Sequence, residues 1–321
     1  MALLEIDGLS VDFAASQRLI HALRDIRFSI ERGRIVGLVG ESGSGKSTLS
    51  LAILRLLAPA ARIAGGTVRF DGVDLFALPD EGMRALRGER IAMVFQDPMS
   101  TLNPVLTIGA QMIDVQFRHA HVARAEKRVR AVALLKRVGI PDPERRIDDY
   151  PHQFSGGMRQ RISIAMALLS QPDLLIADEP TTALDVTLEA QILDLLRDLR
   201  RDFAGAILLI SHHLGVVAEI CDEVVVLYAG ELVEQAPVAE LFANPRHPYT
   251  KALLDCDPGR LAADARGFPT IPGRMPDLGE ARTRCVFVSR CPLAIERCRA
   301  EPPAVTTVAP GHRASCHLLS G

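Results

Sequence analysis

Residues 40–48 read Gly-Glu-Ser-Gly-Ser-Gly-Lys-Ser-Thr, and no other stretch constrains the fold of this chain as tightly. Gly40, four further residues and then Gly45-Lys46-Ser47 fit the P-loop pattern G-x-x-x-x-G-K-[ST], which carries its meaning only between a strand and a helix. Residues 34–39 (Arg-Ile-Val-Gly-Leu-Val) form an apolar run of the kind expected for a buried strand, and residues 49–57 read as a helix. Between them the backbone of Gly40, Glu41, Ser42, Gly43, Ser44 and Gly45 can wrap a polyphosphate and aim its N–H groups at the oxygens. The helix carrying Lys46, Ser47 and Thr48 adds the positive end of its dipole. In that arrangement Lys46 neutralises β- and γ-phosphate charge, and the Ser47 hydroxyl ligates Mg²⁺. A Gly/Ser-rich surface turn shares the composition but not the strand and helix on either side. The stretch predicts a nucleoside triphosphate site.

Residues 174–179 (Leu-Leu-Ile-Ala-Asp-Glu) predict a strand buried on both faces that ends in two carboxylates. Open α/β sheets bind ligands at that end of their strands. Asp178 is placed there to hold the Mg²⁺ shell and Glu179 to polarise an attacking water. By itself an apolar run ending in Asp-Glu is more often a strand entering a turn; the upstream P-loop is what turns it towards chemistry. Residues 154–160 (Phe-Ser-Gly-Gly-Met-Arg-Gln) lead into a helical pattern over 161–169. Ser155 reads as the helix N-cap, and an N-terminus opened by Gly156 and Gly157 also suits an anion.

Ser-Gly-Gly ahead of a Gln-Arg helix, between a P-loop and an Asp-Glu strand, resembles the signature of ATP-binding cassette (ABC) ATPases. The resemblance implies a head-to-tail dimer in which Ser155, Gly156 and Gly157 of one subunit close over the γ-phosphate held by the other. The family's usual fifth signature residue is Gln, where this chain has Met158. It further implies that Gln96, ending a strand over 91–96, is the Q-loop glutamine that senses Mg²⁺ or the lytic water. Asp185, in Ala183-Leu184-Asp185, resembles the D-loop aspartate that meets the opposite subunit. His212, after a strand over 206–211, matches the switch histidine at the γ-phosphate, although His213 stands where Asp is usual. Phe13 takes the place of the aromatic that stacks on adenine. Read without the resemblance, Gln96 is a solvated side chain, His212 a structural histidine and Phe13 a core phenylalanine. The resemblance spans residues 1–235.

With 321 residues, the chain has room for one large α/β domain and an appendage, and its 48% hydrophobic content suffices for a sizeable core. A formal net charge of −2 offers no general attraction to nucleic acid or anionic lipid. The first residues, Met-Ala-Leu-Leu-Glu-Ile-Asp, lack the basic and apolar regions of a signal peptide, so none is expected. No run approaches the ~18 apolar residues of a membrane span, so a transport role requires separate membrane subunits. Turn signals fall at Gly65-Gly66 and Asp71-Gly72, helical periodicity dominates 98–170, and strand–helix alternation resumes over 174–228, with a helix over 190–199. The expected fold is an α/β P-loop core with a mostly parallel sheet, an inserted helical subdomain and a small cysteine-containing C-terminal domain. The expected boundaries are 1–97 with 170–235 for the core, 98–169 for the helical subdomain with the signature, and 236–321 for the tail.

The tail carries Asn-Pro-Arg-His-Pro-Tyr-Thr over 244–250, with Pro248 placed as an early helix residue. This motif, Tyr150-Pro151-His152-Gln153 and Ile271-Pro272-Gly273 closely resemble the dipeptide, oligopeptide and nickel ABC importers, and Met158 with the loop Thr181-Thr182-Ala183-Leu184-Asp185 looks more like their D-type dipeptide ATPase than its companion. Cys221 and Cys256 read as small buried hydrophobes. Cys285, Cys291, Cys298 and Cys316 crowd into the last 37 residues with five, six and seventeen residues between them. That spacing fits neither the paired thiols of structural zinc nor a ferredoxin run, and it leaves zinc and iron–sulfur equally open. The family resemblance implies a [4Fe–4S] cluster on these four, serving structure far in sequence from the P-loop.

These readings converge on an ATPase subunit that powers import of dipeptides, oligopeptides or a related small solute from the cytoplasmic face of the cell membrane. The implied partners are a companion ABC ATPase, two transmembrane permeases and an extracytoplasmic solute-binding protein, with no nucleic acid. A soluble non-transport ABC ATPase is the alternative, but such chains usually hold two cassettes and lack this tail. An exporter ATPase is disfavoured by the same tail.

Overall fold

The strand ahead of the P-loop is β3 (Ile35–Val39), buried at all five positions, and the helix behind it is Lys46–Ile53. The computed structural model describes residues 2–15, 18–97, 101–118, 121–181, 189–192, 194–197, 203–257 and 269–319. The chain divides into two units, Met1–Ala77 with Leu209–Gly321, and Leu78–Leu208.

In the first unit β1 (Ala2–Ala15), β2 (Arg18–Glu31), β4 (Ala61–Phe70) and β5 (Val73–Asp74) form an antiparallel sheet in the order β2-β1-β4-β5. Ile26, Phe28 and Ile30 of β2 are buried while Arg27, Ser29 and Glu31 between them are exposed, the alternation of a sheet with one wet face. Gly65-Gly66, expected as a turn, instead lies inside β4 at a shift in its register with β1. Gly66 has φ +84, and a Cβ there would stand 2.3 Å from the backbone of Gly8. The glycine pair permits a close backbone approach rather than a chain reversal. Asp71-Gly72, both at positive φ, do make the turn from β4 into β5.

β3 belongs to the other sheet of this unit and runs parallel to β9 (Glu223–Tyr228), from Val36 opposite Glu223 to Val39 opposite Val226. Ala229 and Gly230, both at positive φ, turn β9 into the antiparallel β10 (Glu231–Pro237). β10 then pairs with β12 (His312–Ser315), and β12 with β11 (Val305–Ala309). The C-terminal residues therefore continue the sheet that carries the P-loop, and the expected boundary after residue 235 falls inside β10. The helix Leu214–Ile220 comes close to β3 because residue 37 is glycine; a Cβ there would meet Val217 at 2.7 Å and Cys221 at 3.0 Å.

In the second unit β6 (Ile91–Val94) and β7 (Leu174–Asp178) pair in parallel, from Ile91 opposite Leu174 to Val94 opposite Ala177. Between them lie the helices Ile108–Asp114, Arg124–Arg137, Pro143–Arg146 and Gly156–Leu168, and the described residues there contain no strand. The described parts of the helix expected over 190–199 are helical. β8 (Ala206–Ile210), buried throughout, carries the chain back to the first unit. No helix among the described residues is long and apolar enough to cross a membrane.

Candidate functional site

The P-loop is shaped by its glycines and walled by its neighbours. Gly40 has φ +152, and a Cβ on it would lie 2.2 Å from the Leu227 carbonyl oxygen. Gly45, at φ +104, caps the helix Lys46–Ile53; a Cβ there would meet Leu23 at 2.7 Å and the Ala22 carbonyl at 2.9 Å. Gly43, at φ +79, faces open space. Ser42, Gly43 and Ser47 are exposed while Ser44 is buried, with its Oγ lacking a hydrogen-bond partner. Lys46 folds back on the loop, its Nζ donating to the carbonyls of Gly40 at 2.8 Å and Glu41 at 3.1 Å. A lysine parked on its own loop's carbonyls is within reach of an anion bound there. Thr48 follows within the first turn of the helix.

Two neighbours of the loop come from the tail, and neither was singled out as a site residue in the sequence. The Tyr249 hydroxyl accepts the Glu41 backbone N–H at 2.9 Å. Arg290 grips the Glu41 carboxylate with both ends of its guanidinium, at 2.6 and 3.0 Å. Tyr249 stood inside a noted motif, and its position after His247-Pro248 was the available signal. Arg290 carried none, being one arginine among many beside a cysteine.

In the second unit Asp178 is buried at the end of β7, and Glu179 follows it with φ +47, a left-handed conformation unusual for a non-glycine residue. That kink ends the strand one residue earlier than expected and turns the Glu179 carboxylate aside. Its Oε2 accepts a hydrogen bond from Gln96 Nε2 at 3.1 Å. β6 likewise stops at Val94, leaving Phe95 and Gln96 exposed. The structure thus brings together two residues 83 positions apart, a carboxylate and an amide suited to orienting one water.

Ser155 caps the helix Gly156–Leu168, its Oγ accepting from Met158 N at 3.3 Å. Ser155 and Gly156 are exposed, and a Cβ on Gly156 would meet nothing within 4 Å. Gly157 is buried. Met158 finds a local partner: Arg146, stacked over the Phe154 ring at 4.2 Å, donates to its thioether sulfur at 3.5 Å. His212 is exposed after β8, its ring 4.3 Å from that of His213. His213, exposed like His212, occupies the N-cap position of the next helix without a side-chain cap, and its backbone N–H donates to Ser211 Oγ at 3.0 Å. Phe13 sits half-buried in β1, opposite Ile20 and Ala61. Asp185 lies outside the described residues.

All six cysteines are free thiols. Cys285, Cys298 and Cys316 are buried and Cys291 is half-buried, and Cys285 N donates to the Cys298 carbonyl at 3.0 Å. Burial, reinforced by Cys298, Cys316 and Cys291 nearby, pushes the Cys285 thiol up to about 11, against a backbone hydrogen bond that lowers it. Side-by-side thiols of this kind ionise only with a cation to compensate them. Among the described residues, however, no three His, Cys, Asp or Glu side chains are grouped so as to hold a single metal ion.

The chain matches the family model of ABC transporters over residues 23–182 and that of the oligopeptide/dipeptide transporter C-terminal region over 233–298. It is 49% identical to a probable peptide ABC transporter ATP-binding protein of Sinorhizobium fredii, covering 98% of this chain and 94% of the relative. It is 46% identical to the dipeptide transport ATP-binding protein DppD of Escherichia coli, covering 99% and 97%. Among solved structures, the dimeric post-hydrolysis state of the ATP-binding cassette MJ0796 with ADP and Pi superposes with a TM-score of 0.66. That match is at 27% identity and covers 73% of this chain and 98% of the other. A P-loop walled on every glycine that needs it, a Gln96–Glu179 pair and near full-length identity of this order place the chain in the ABC transporter ATP-binding family, in its oligopeptide/dipeptide branch.

Proposed function

We propose that the chain hydrolyses ATP to drive import of dipeptides or oligopeptides, as the cytoplasmic-face ATPase of a membrane transporter. The observation that carries the hydrolytic part is the hydrogen bond from Gln96 to Glu179. Glu179 acts as general base on the attacking water, and Gln96 orients that carboxylate and reports its state to the helices that follow β6. Ser47 and Asp178 would each be ligands to Mg²⁺, which would neutralise phosphate charge, and the P-loop backbone and Lys46 would cradle the phosphates. His212 contacts the γ-phosphate and Phe13 stacks on the adenine. Ser155, Gly156 and Gly157 complete the nucleotide site of a companion ATPase, with Asp185 at the contact between subunits. The exposed, unfilled surface at Ser155 and Gly156 and the dimeric state of the related cassette support that reading. Peptide as cargo is supported by the names of the relatives, and residues 98–169 couple the cycle to two permeases fed by a solute-binding protein.

Glu179→Gln is expected to keep ATP binding and slow hydrolysis by roughly 10²–10⁴-fold, the range for losing a positioned base. The rate is to be read in the assembled transporter with both ATPases present; turnover at the normal rate removes Glu179 from the role. For the tail, Cys285, Cys291, Cys298 and Cys316 are proposed to hold one [4Fe–4S] cluster that cross-links a segment too small to build its own core. Support comes from the four neighbouring thiols and the family resemblance. Protein purified without oxygen should be brown and contain iron and acid-labile sulfide in equal amounts. A colourless protein with one equivalent of zinc overturns the cluster, and a metal-free folded protein overturns the metal altogether.

A further inference from the structure

We propose that Tyr249 and Arg290 of the C-terminal segment are positioning residues for nucleotide: they brace the P-loop through Glu41 and hold its shape when Lys46 moves to phosphate. The inference rests on reading the P-loop as the ATP site. The peptide unit joining Gly40 to Glu41 is planar and moves as one body. Its carbonyl end accepts Lys46 Nζ at 2.8 Å and its N–H end donates to the Tyr249 hydroxyl at 2.9 Å. A lysine that leaves Gly40 O for a phosphate oxygen therefore releases one end of this peptide, and the Tyr249 hydrogen bond at the other end resists its turning. Gly40, whose φ of +152 suits few residues, is where such a turn would occur.

Arg290 fixes the side chain of the same residue. Its five guanidinium donors are all engaged. Nη1 donates to Glu41 Oε2 and Tyr228 Oη, Nη2 to Glu41 Oε1 and Ile271 O, and Nε to Pro272 O at 2.8 Å. With its side chain only 4% exposed, Arg290 has no water to fall back on. The Ile271-Pro272-Gly273 motif gains a purpose here. Its carbonyls anchor the guanidinium, and Gly273, at φ +83, leaves room for the arginine stem, which a Cβ would meet at 3.1 Å. The motif at 244–250 is explained in the same way. His247 Nδ1 accepts the Tyr249 N–H at 3.0 Å, Pro248 opens the helix Pro248–Asp255, and the Tyr249 ring packs against Tyr228 and Phe287 with its hydroxyl under the loop. Phe287 and Arg290 lie between Cys285 and Cys291, so the cysteine-bearing turn is the far abutment of the brace. The tail, far in sequence from the P-loop, meets it in space at Glu41.

The test is MgATP affinity of the full-length chain by calorimetry, with urea unfolding run on every variant. Tyr249→Phe removes one oxygen and keeps the packing; its Kd should rise several-fold with little change in unfolding midpoint, the loss of one neutral hydrogen bond. Arg290→Met should raise Kd by roughly ten- to a hundred-fold, as for a charge-assisted pair, and Arg290→Lys should recover only part of it. In the assembled transporter KM for ATP should rise much more than kcat falls. A purely architectural tail would lower the midpoints and leave the Kd of the folded protein alone. Wild-type Kd in Tyr249→Phe, and in Arg290→Met if it folds, overturns the brace. Failure of the unmodified chain to bind ATP would instead overturn the reading on which it rests.

Discussion

The chain has two glycine-flanked helix N-termini of the kind that suit phosphate, and they are built in opposite ways. At the P-loop, the glycines at 40 and 45 are pressed against other backbone, and Glu41 is held from the tail by a buried tyrosine and a buried arginine. At Ser155–Gly157 the cap is formed, yet Ser155 and Gly156 face outward with nothing near Gly156. Both ends offer N–H groups and a positive dipole to an anion. Only the first has walls that fix where the anion sits. A preshaped cradle pairs with a bare contact surface when the second is completed by another molecule, which is the arrangement a shared-site dimer requires.

The harshest way to break the contrast is to add one methyl group at each end. Gly40→Ala would drive a Cβ into the Leu227 carbonyl at 2.2 Å, in backbone that no alanine favours. We expect a stability loss of about 3 kcal/mol and nucleotide affinity weakened beyond measurement. Gly156→Ala, at a helical position with open space around it, should be neutral or stabilising by up to about 1 kcal/mol and leave ATP binding by the same chain intact. Calorimetry and urea unfolding on the pair decide it; equal losses at both positions would erase the distinction.

A smaller effect is expected from filling the open surface. Ser155→Arg keeps the P-loop untouched, so this chain's own ATP affinity should stay within twofold of the unmodified protein. Hydrolysis with the companion ATPase and permeases should fall, since on the proposed reading the arginine would stand where the partner's γ-phosphate docks. If activity survives in the assembled transporter, or if the isolated monomer is fully active without it, the signature turn does not complete a second site.

How much of this was legible in the sequence follows from the range of each interaction. The P-loop, the β7 carboxylates and the Ser155 cap are local devices, so residue order alone announced them, and strand ends were missed by a residue or two where Glu179 kinks and Phe95 turns outward. Gly65-Gly66 was misread because two glycines serve a turn and a bulge equally well in one dimension. The Arg290–Glu41 pair spans 249 residues, and no periodicity encodes it. Buried Glu234 is similar: it gathers the N–H groups of Arg246 and His247 and the His312 ring, from two separate stretches, into one polar knot. Its position in β10 gave no hint of that.

The least of the expected effects separates the two regions by acid. His247 is 2% exposed and serves as an acceptor, and burial pulls its imidazole down to about 3. The folded chain holds it neutral while the unfolded chain protonates it below about 6.5. Its contribution to stability is therefore complete above pH 6.5 and is lost as the pH falls towards 3, at about 1.4 kcal/mol per pH unit, or about 2 kcal/mol by pH 5. That loss falls on the unit that holds Tyr249 and the P-loop, not on the unit that holds the helix Gly156–Leu168. His247→Asn supplies a side-chain oxygen to cap Tyr249 N without a titrating group. It should be less stable at pH 7.5 but lose about 2 kcal/mol less than the unmodified protein on going to pH 5, groups common to both cancelling in the difference. Urea unfolding at the two pH values measures this, and amide exchange at pH 5 should show Tyr249 and the P-loop opening before Gly156–Leu168. Identical acid slopes for the two proteins would remove His247 from the account, and simultaneous opening would show that the braced end and the bare end share one fate.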